Sequence, residues 1–169
     1  MLVTTLESDP YLGRILTGRI HSGTARVNMP VKALGREGEA LEQTRLTKLL
    51  AFRGLERLPI QEAIAGDIIA VAGFEKATVS DTVCVPEVNE PLKSLPIDPP
   101  TLAMNFCVND SPFAGKEGKK VTSRLIRDRL MIEAESNVSI KVSETPSTDA
   151  FEVAGRGELQ LGVLIETMR

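Results

Sequence analysis

Aromatic residues are scarce in this chain of 169 residues: they make up 4% of it, and none is Trp. A core built without them has to be aliphatic, drawn from a hydrophobic fraction of 42%, which is ordinary for a globular protein. Cysteine is equally sparse. Cys84 and Cys107 stand 23 residues apart, with no CxxC pattern and no His near either of them. That spacing excludes a zinc site and a disulfide framework, and it predicts two reduced thiols in the core. No apolar run approaches the roughly 18 residues that suggest a membrane span. Met1-Leu2-Val3 leads straight into Thr4, Thr5 and Glu7, so the reading expects no signal peptide and a cytoplasmic protein with no membrane partner.

A dominant charge is also missing. Twenty Lys and Arg face 23 Asp and Glu, for a net charge of −3, which argues against a generic polyanion binder. The charges are unevenly spread. Residues 1–60 carry nine basic and six acidic groups, residues 61–100 two and seven, and residues 111–129 six and two. Any nucleic-acid contact therefore has to come from local patches rather than from an overall field.

Motifs for chemistry are few. Gly13 to Ile20 approaches the phosphate-loop pattern GxxxxGK[ST], but Arg19 and Ile20 replace its Lys and Ser/Thr, and the context reads as strand. Gly155-Arg156-Gly157 starts like a dinucleotide fingerprint and lacks the third glycine; Glu158 already complements the helix start that follows. His21 sits in a turn and no nucleophile elbow accompanies it. Glu133 and Glu135 read as solvated carboxylates at a helix end. No catalytic, cofactor-binding or metal-binding residue is assigned.

The first 85 residues read as about six short strands joined by turns: Tyr11 to Ile20, Ala25 to Leu34 with Pro30 inside it, Leu41 to Leu50, Ile68 to Ala72, and Asp81 to Val85 among them. Such spacing suggests a closed barrel or a sandwich. Residues 86–100 hold five of the ten prolines, which predicts a semi-rigid linker. Beyond it the rhythm changes. A strand from Leu102 to Val108 precedes a loop with Pro112, Gly115 and Gly118. A helix then starts at Thr122 or Ser123, with Leu125, Ile126 and Leu130 as its stripe. Strands at Val138 to Val142 and Phe151 to Val153 follow, and a last helix carries Leu161, Leu164, Ile165 and Met168. The order β-α-β-β-α is a split β-α-β, or ferredoxin-like, unit lacking its last strand, so the chain reads as cut. The expected division is 1–86, a linker at 87–98, and 99–169.

Two segments are candidate contacts with phosphates. Ser111 to Lys120 holds Lys116, Lys119 and Lys120 with flexible glycines and Phe113, just before a helix bearing Arg124, Arg127 and Arg129. The segment 51–57, read as a loop, holds Arg53 and Arg57. Either could equally be plain solvated surface.

Several stretches together resemble the TypA/BipA family of ribosome-associated translational GTPases, which are related to elongation factor G. They are Gly54-Leu55-Glu56-Arg57, Ala65 to Gly73 (AGDIIAVAG), Ser80 to Cys84, Asn105 to Asn109, Ser111-Pro112-Phe113, Gly115 to Lys119, Val121 to Arg124, and Ala154 to Leu159. The turn at Ala65-Gly66-Asp67-Ile68 is shared by many translation-factor barrels, whereas the stretch from Ser111 to Arg124 and the RGEL stretch at Arg156 to Leu159 are more specific. Family members usually have His where this chain has Gln160. The resemblance implies a mainly β plus α+β protein: a translation-factor β-barrel, the second domain of the family, followed by its third, ferredoxin-like domain. It implies that the GTPase domain lies upstream, together with the GTP and Mg that it binds. This sequence has no phosphate-binding loop, no DxxG and no NKxD, so the segment is expected neither to bind nor to hydrolyse GTP. The implied function is a module that contacts the ribosome, through small-subunit rRNA and protein, and couples nucleotide state to ribosome association in translation, ribosome assembly or stress response. Carried over to loops, the resemblance makes Arg53, Arg57, Lys116, Lys119, Lys120 and Arg124 the candidate contacts. The implied partners are the ribosome and the flanking domains of the same parent chain, with the protein a monomer. Two alternatives are a structural spacer between flanking domains and an enzyme using the barrel as a small-molecule pocket.

Overall fold

The computed structural model describes residues 1–112, 114, 116, 122–147 and 149–168. They fall into two compact units, Met1–Pro96 and Ile97–Arg169.

The first unit holds β1 (Leu2–Asp9), β2 (Gly13–Arg19), β3 (Thr24–Arg26), β4 (Pro30–Leu34), β5 (Ala40–Arg45), β6 (Lys48–Arg53), β7 (Glu56–Ile60), β8 (Glu62–Ile64), β9 (Ile68–Phe74) and β10 (Thr82–Cys84). Eight of them form one antiparallel sheet in the order β5-β4-β10-β1-β2-β9-β6-β7, and β3 pairs with β8 as a separate ribbon. Alternation explains the inside of the sheet. Leu16, Leu49, Ile69 and Val71 are almost completely buried and join Val3, Val31, Leu46 and Val83 in a mostly aliphatic core that also takes in Phe74. Burying each such side chain contributes about 1.5–3 kcal/mol, which is how a chain poor in aromatics holds a barrel together.

The sheet closes where β5 returns to β9. The Thr47 amide donates to the Ala72 carbonyl at 3.0 Å, and Thr44 Oγ1 donates to the Gly73 carbonyl at 2.7 Å. Gly73 adopts φ +119, and a Cβ there would collide with the Arg45 carbonyl oxygen. Closure thus requires glycine at this one position.

The proline-rich segment after β10 lies on the first unit. Lys32, itself buried, donates from Nζ to Asn89 Oδ1 at 2.8 Å. The Leu92 amide donates to Thr82 Oγ1 at 2.9 Å, and Ser80 Oγ donates to the Leu95 carbonyl at 3.5 Å.

The second unit runs β11 (Leu102–Cys107), α1 (Ser123–Ser136), β12 (Lys141–Glu144), β13 (Ala150–Gly155) and α2 (Glu158–Met168). Its sheet order is β11-β13-β12, all antiparallel. This is the split β-α-β arrangement, with β13 between the two strands that α1 connects. Leu130 from α1 and Leu161 and Leu164 from α2 pack with Ile140, Phe151 and Val153. Thr122 is the N-cap of α1, extended at φ −87 and ψ 148, without a side-chain cap bond. At the start of α2, Gln160 bridges outward: its Oε1 accepts the Arg156 amide at 2.7 Å and its Nε2 donates to Ser139 Oγ at 2.6 Å. Ser139 Oγ in turn donates to Asn137 Oδ1 at 2.6 Å.

Several sequence expectations need correcting. Ten strands stand in the first unit where about six were expected. Strand β1 was missed because Thr4, Thr5, Glu7 and Asp9 break its apolar pattern. Ala25 to Leu34 is not one strand; it divides into β3 and β4, with Pro30 opening the second, where no ladder amide is needed. Leu41 to Leu50 is broken at Leu46-Thr47, because Leu46 turns inward and its backbone exchanges hydrogen bonds with Asn28 and Met29. Strand β12 starts at Lys141, since Asn137 to Ser139 form a turn closed by the Asn137 side chain. Cys107 is exposed and Cys84 half-buried, so the two thiols are not a core pair. In the helices, Leu125 and Ile165 are exposed and the buried stripes run through Leu130, Leu161 and Leu164.

Candidate nucleic-acid interface

The stretch Gly13 to Ile20 is strand β2 and its exit, not a strand-loop-helix, so no phosphate cradle forms there. Among the described residues, no group of three His, Cys, Asp or Glu could hold a metal ion.

The segment 51–57, expected as a loop, is instead the tight hairpin joining β6 to β7. Arg53 pairs with Glu56 across it, leaving Gly54 and Leu55 as a two-residue connection. Gly54 adopts φ +65 and Leu55 is not in the left-handed region, the pattern of a type II′ turn with Gly in its first position. The tip presents Arg53 and a fully exposed Leu55 to solvent. Arg53 makes no ion pair among the described residues.

Arg57 differs. Its guanidinium grips Glu7 of β1 with both terminal nitrogens, at 2.8 Å and 2.6 Å, and lies over the Phe52 ring at 5.2 Å from its centroid. The register explains the reach. Glu7, Ile15, Ala72 and Lys48 align as one row across β1, β2, β9 and β6, and Thr5, Thr17, Ala70 and Leu50 as the next. Ala70 and Ala72 are small and fully buried, and Arg57 closes over this outer face from β7. The hydrogen bond from Arg57 holds the Glu7 carboxyl below its ordinary range, and Glu7 raises the guanidinium in return. Geometrically, Arg57 is a clamp between strands.

The second candidate is only partly visible. Lys119 and Lys120 lie outside the described residues, as do Phe113, Gly115, Gly118 and Val121. Lys116 is exposed. Arg124, in the first turn of α1, is 90% exposed and stands 4.0 Å from Asp128. Arg127 pairs with Glu144 at 2.8 Å and Arg129 with Glu133 at 3.0 Å. The positive run read along the sequence is thus partly neutralised once folded. The first candidate belongs to the first unit and the second to the other unit.

Comparison with known proteins places this geometry. Residues 13–84 match the model of elongation factor Tu domain 2. The chain is 51% identical over 167 residues to the large ribosomal subunit assembly factor BipA of Synechocystis, covering 99% of this chain and 28% of that protein. It is 48% identical over 167 residues to the factor of the same name from Bacillus subtilis, with 99% and 27% covered. The chain matches a fragment of the TypA/BipA family. It spans just over a quarter of the length of the curated relatives it matches. A solved Thermus thermophilus structure shares the fold, with a TM-score of 0.66 at 21% identity, over 97% of this chain and 23% of that one.

The stretches that carry the TypA/BipA resemblance occupy defined places. Gly54 to Arg57 is the tip of the β6–β7 hairpin. Ala65-Gly66-Asp67 is the turn into β9, where Asp67 Oδ2 accepts the Ile64 amide at 2.9 Å and the Asp67 carbonyl accepts the Ile20 amide at 2.9 Å. Arg156 to Leu159 is the entry to α2, with Leu159 exposed. Glu7, the partner of Arg57, was missed by sequence reading: no local signal links residues fifty positions apart.

Proposed function

We propose that this chain is a ribosome-contacting module of a TypA/BipA-type translational GTPase. The observation that carries the reading is the 47–51% identity, over essentially the whole chain, to proteins named as large ribosomal subunit assembly factors. GTP hydrolysis, with its GTP and Mg, belongs in this reading to a part of the parent protein outside the matched quarter. The module binds rRNA and ribosomal protein and couples the nucleotide state to ribosome association in the cytoplasm. Arg53 at the barrel hairpin and the 111–124 segment, with Lys116, Lys119, Lys120 and Arg124, supply the phosphate contacts; Arg57 contributes chiefly by holding the hairpin in place. Each phosphate contact adds counterion release, so affinity falls steeply with salt.

A spacer role is the second reading, and it too has an observation in its favour: Arg57, Arg124, Arg127 and Arg129 are all already paired with carboxylates. Co-sedimentation with 30S, 50S and 70S particles across a salt series separates the two, using the parent protein with Lys116, Lys119 and Lys120 reversed to Glu. A contact module loses association and shows a shallower salt dependence. Association that is unchanged at every salt concentration rejects direct contact through this segment and leaves the spacer.

A further inference from the structure

One end of the barrel holds a cavity of about 260 Å³, which the contact surfaces above do not use. Its walls are aliphatic, with Val31, Ile69, Val71 and Val83 prominent among them. Strand β10 and the segment behind it form one side. Three hydrogen bonds fix that segment above the space without filling it: Cys84 Sγ to the Val88 carbonyl at 3.7 Å, Lys32 Nζ to Asn89 Oδ1, and the Leu92 amide to Thr82 Oγ1. The other side of the mouth is the turn His21-Ser22-Gly23-Thr24, exposed along its length.

The size decides what this space can do. An apolar cavity of about 150 Å³ stays dry and takes up benzene, so this one is large enough for a ring or two and too small for a typical drug-sized ligand. Its contents are also selected chemically. Met29 and Cys84 bring sulfur to the walls, which favours aromatic edges. His21, Ser22 and Thr24 can satisfy one or two polar atoms at the mouth, and the lining residues Met1, through its ammonium, and Glu90, through its carboxylate, bring one charge of each sign, which favours a neutral ligand over either ion.

We propose that this barrel end is a binding site for a small neutral aromatic molecule of one or two rings. The site is independent of ribosome association and stands or falls separately from it.

Indole serves as the probe, on the full chain carrying Cys107→Ser so that Cys84 is the one thiol left. At ten times its dissociation constant indole should slow the alkylation of Cys84 about tenfold, since only the empty fraction reacts. The methyl resonances of Val31, Val71 and Val83 should shift along the same isotherm. Val88→Phe, on a half-exposed lining position, should fill the space and abolish both effects while the methyl spectrum stays dispersed. Should that variant unfold, Ala25→Leu fills the cavity from the β3 side. An unchanged alkylation rate up to the solubility limit of indole overturns the proposal, as does a folded cavity-filling variant that binds indole like the parent.

Discussion

Two arginines on the β6–β7 hairpin test the difference between holding a surface and being one. Arg57→Ala removes the bidentate bond to Glu7 and the stacking on Phe52; Arg53→Ala removes neither. The side chains of Arg57 and Glu7 are 33% and 41% exposed, so the ion pair has to be discounted for solvent and counts for about 0.5 kcal/mol. The cation–π contact at a partly exposed site adds about 0.5–1 kcal/mol. Arg57→Ala should therefore destabilise the protein by about 1–1.5 kcal/mol, seen in urea unfolding followed by circular dichroism, while Arg53→Ala stays within about 0.5 kcal/mol of the parent. A double-mutant cycle with Glu7→Gln isolates the pair. The pH dependence has a definite sign. Glu7 is held below its ordinary value of 4.5 in the folded state, so its contribution is complete above that pH and disappears as the pH falls through the lower folded value. Ribosome association should respond in the opposite order, with Arg53→Ala weakening it at unchanged stability. Equal stability losses for the two arginines, or a coupling of zero at neutral pH, would refute the clamp.

Gly73→Ala should cost about 3 kcal/mol or more, because a strained backbone alone costs about 1–3 kcal/mol and the added carbon meets a carbonyl that belongs to the closure; a loss below about 1 kcal/mol in denaturant titration contradicts that account. Thr17 Oγ1 is buried without a hydrogen-bond partner among the described residues, so Thr17→Val should leave the protein as stable or raise stability by about 1 kcal/mol, measured as a shift in the urea midpoint. Leu130→Ala should cost about 2–5 kcal/mol and expose the amides of β13 and α2 to hydrogen exchange. Cys84 lies partly buried, and burial pushes its thiol above the ordinary range, whereas Cys107 is exposed. Iodoacetamide should accordingly modify Cys107 first, as peptide mapping will show.

The second unit was more legible than the first. Its helices announced themselves through apolar spacing, although Leu125 and Ile165 of those stripes are exposed, and its strands through short apolar runs between turns. In the barrel, alternation is masked because β9 is covered on both faces: Ala70 and Ala72 are as buried as Ile69 and Val71. Strand β7 carries Glu56, Arg57 and Pro59 around its apolar Leu58 and Ile60 and is almost wholly exposed, so no buried face marked it as a strand; its pairing with β6 makes it one. The candidate contacts show the same limit. A run of charge is visible along the chain, but whether Arg57 faces solvent or Glu7, and whether Arg127 meets Glu144, depends on which strands the fold brings side by side. The cavity was invisible for the same reason, since its lining comes from separate turns and strands of the barrel.

The bonded series through Gln160 has a polarity. The Arg156 amide donates to Gln160, Gln160 donates to Ser139, and Ser139 donates to Asn137, so every donor points the same way along the series. What position 160 must supply is one acceptor and one donor, and a neutral imidazole carries the same pair. A carboxylate does not: Glu at this position would present two acceptors, reverse the Ser139 hydroxyl and leave the Asn137 oxygen with the Ser139 amide as its remaining donor. His in place of Gln at this point would therefore preserve the direction in which the donors point, from the start of α2 to the turn after α1.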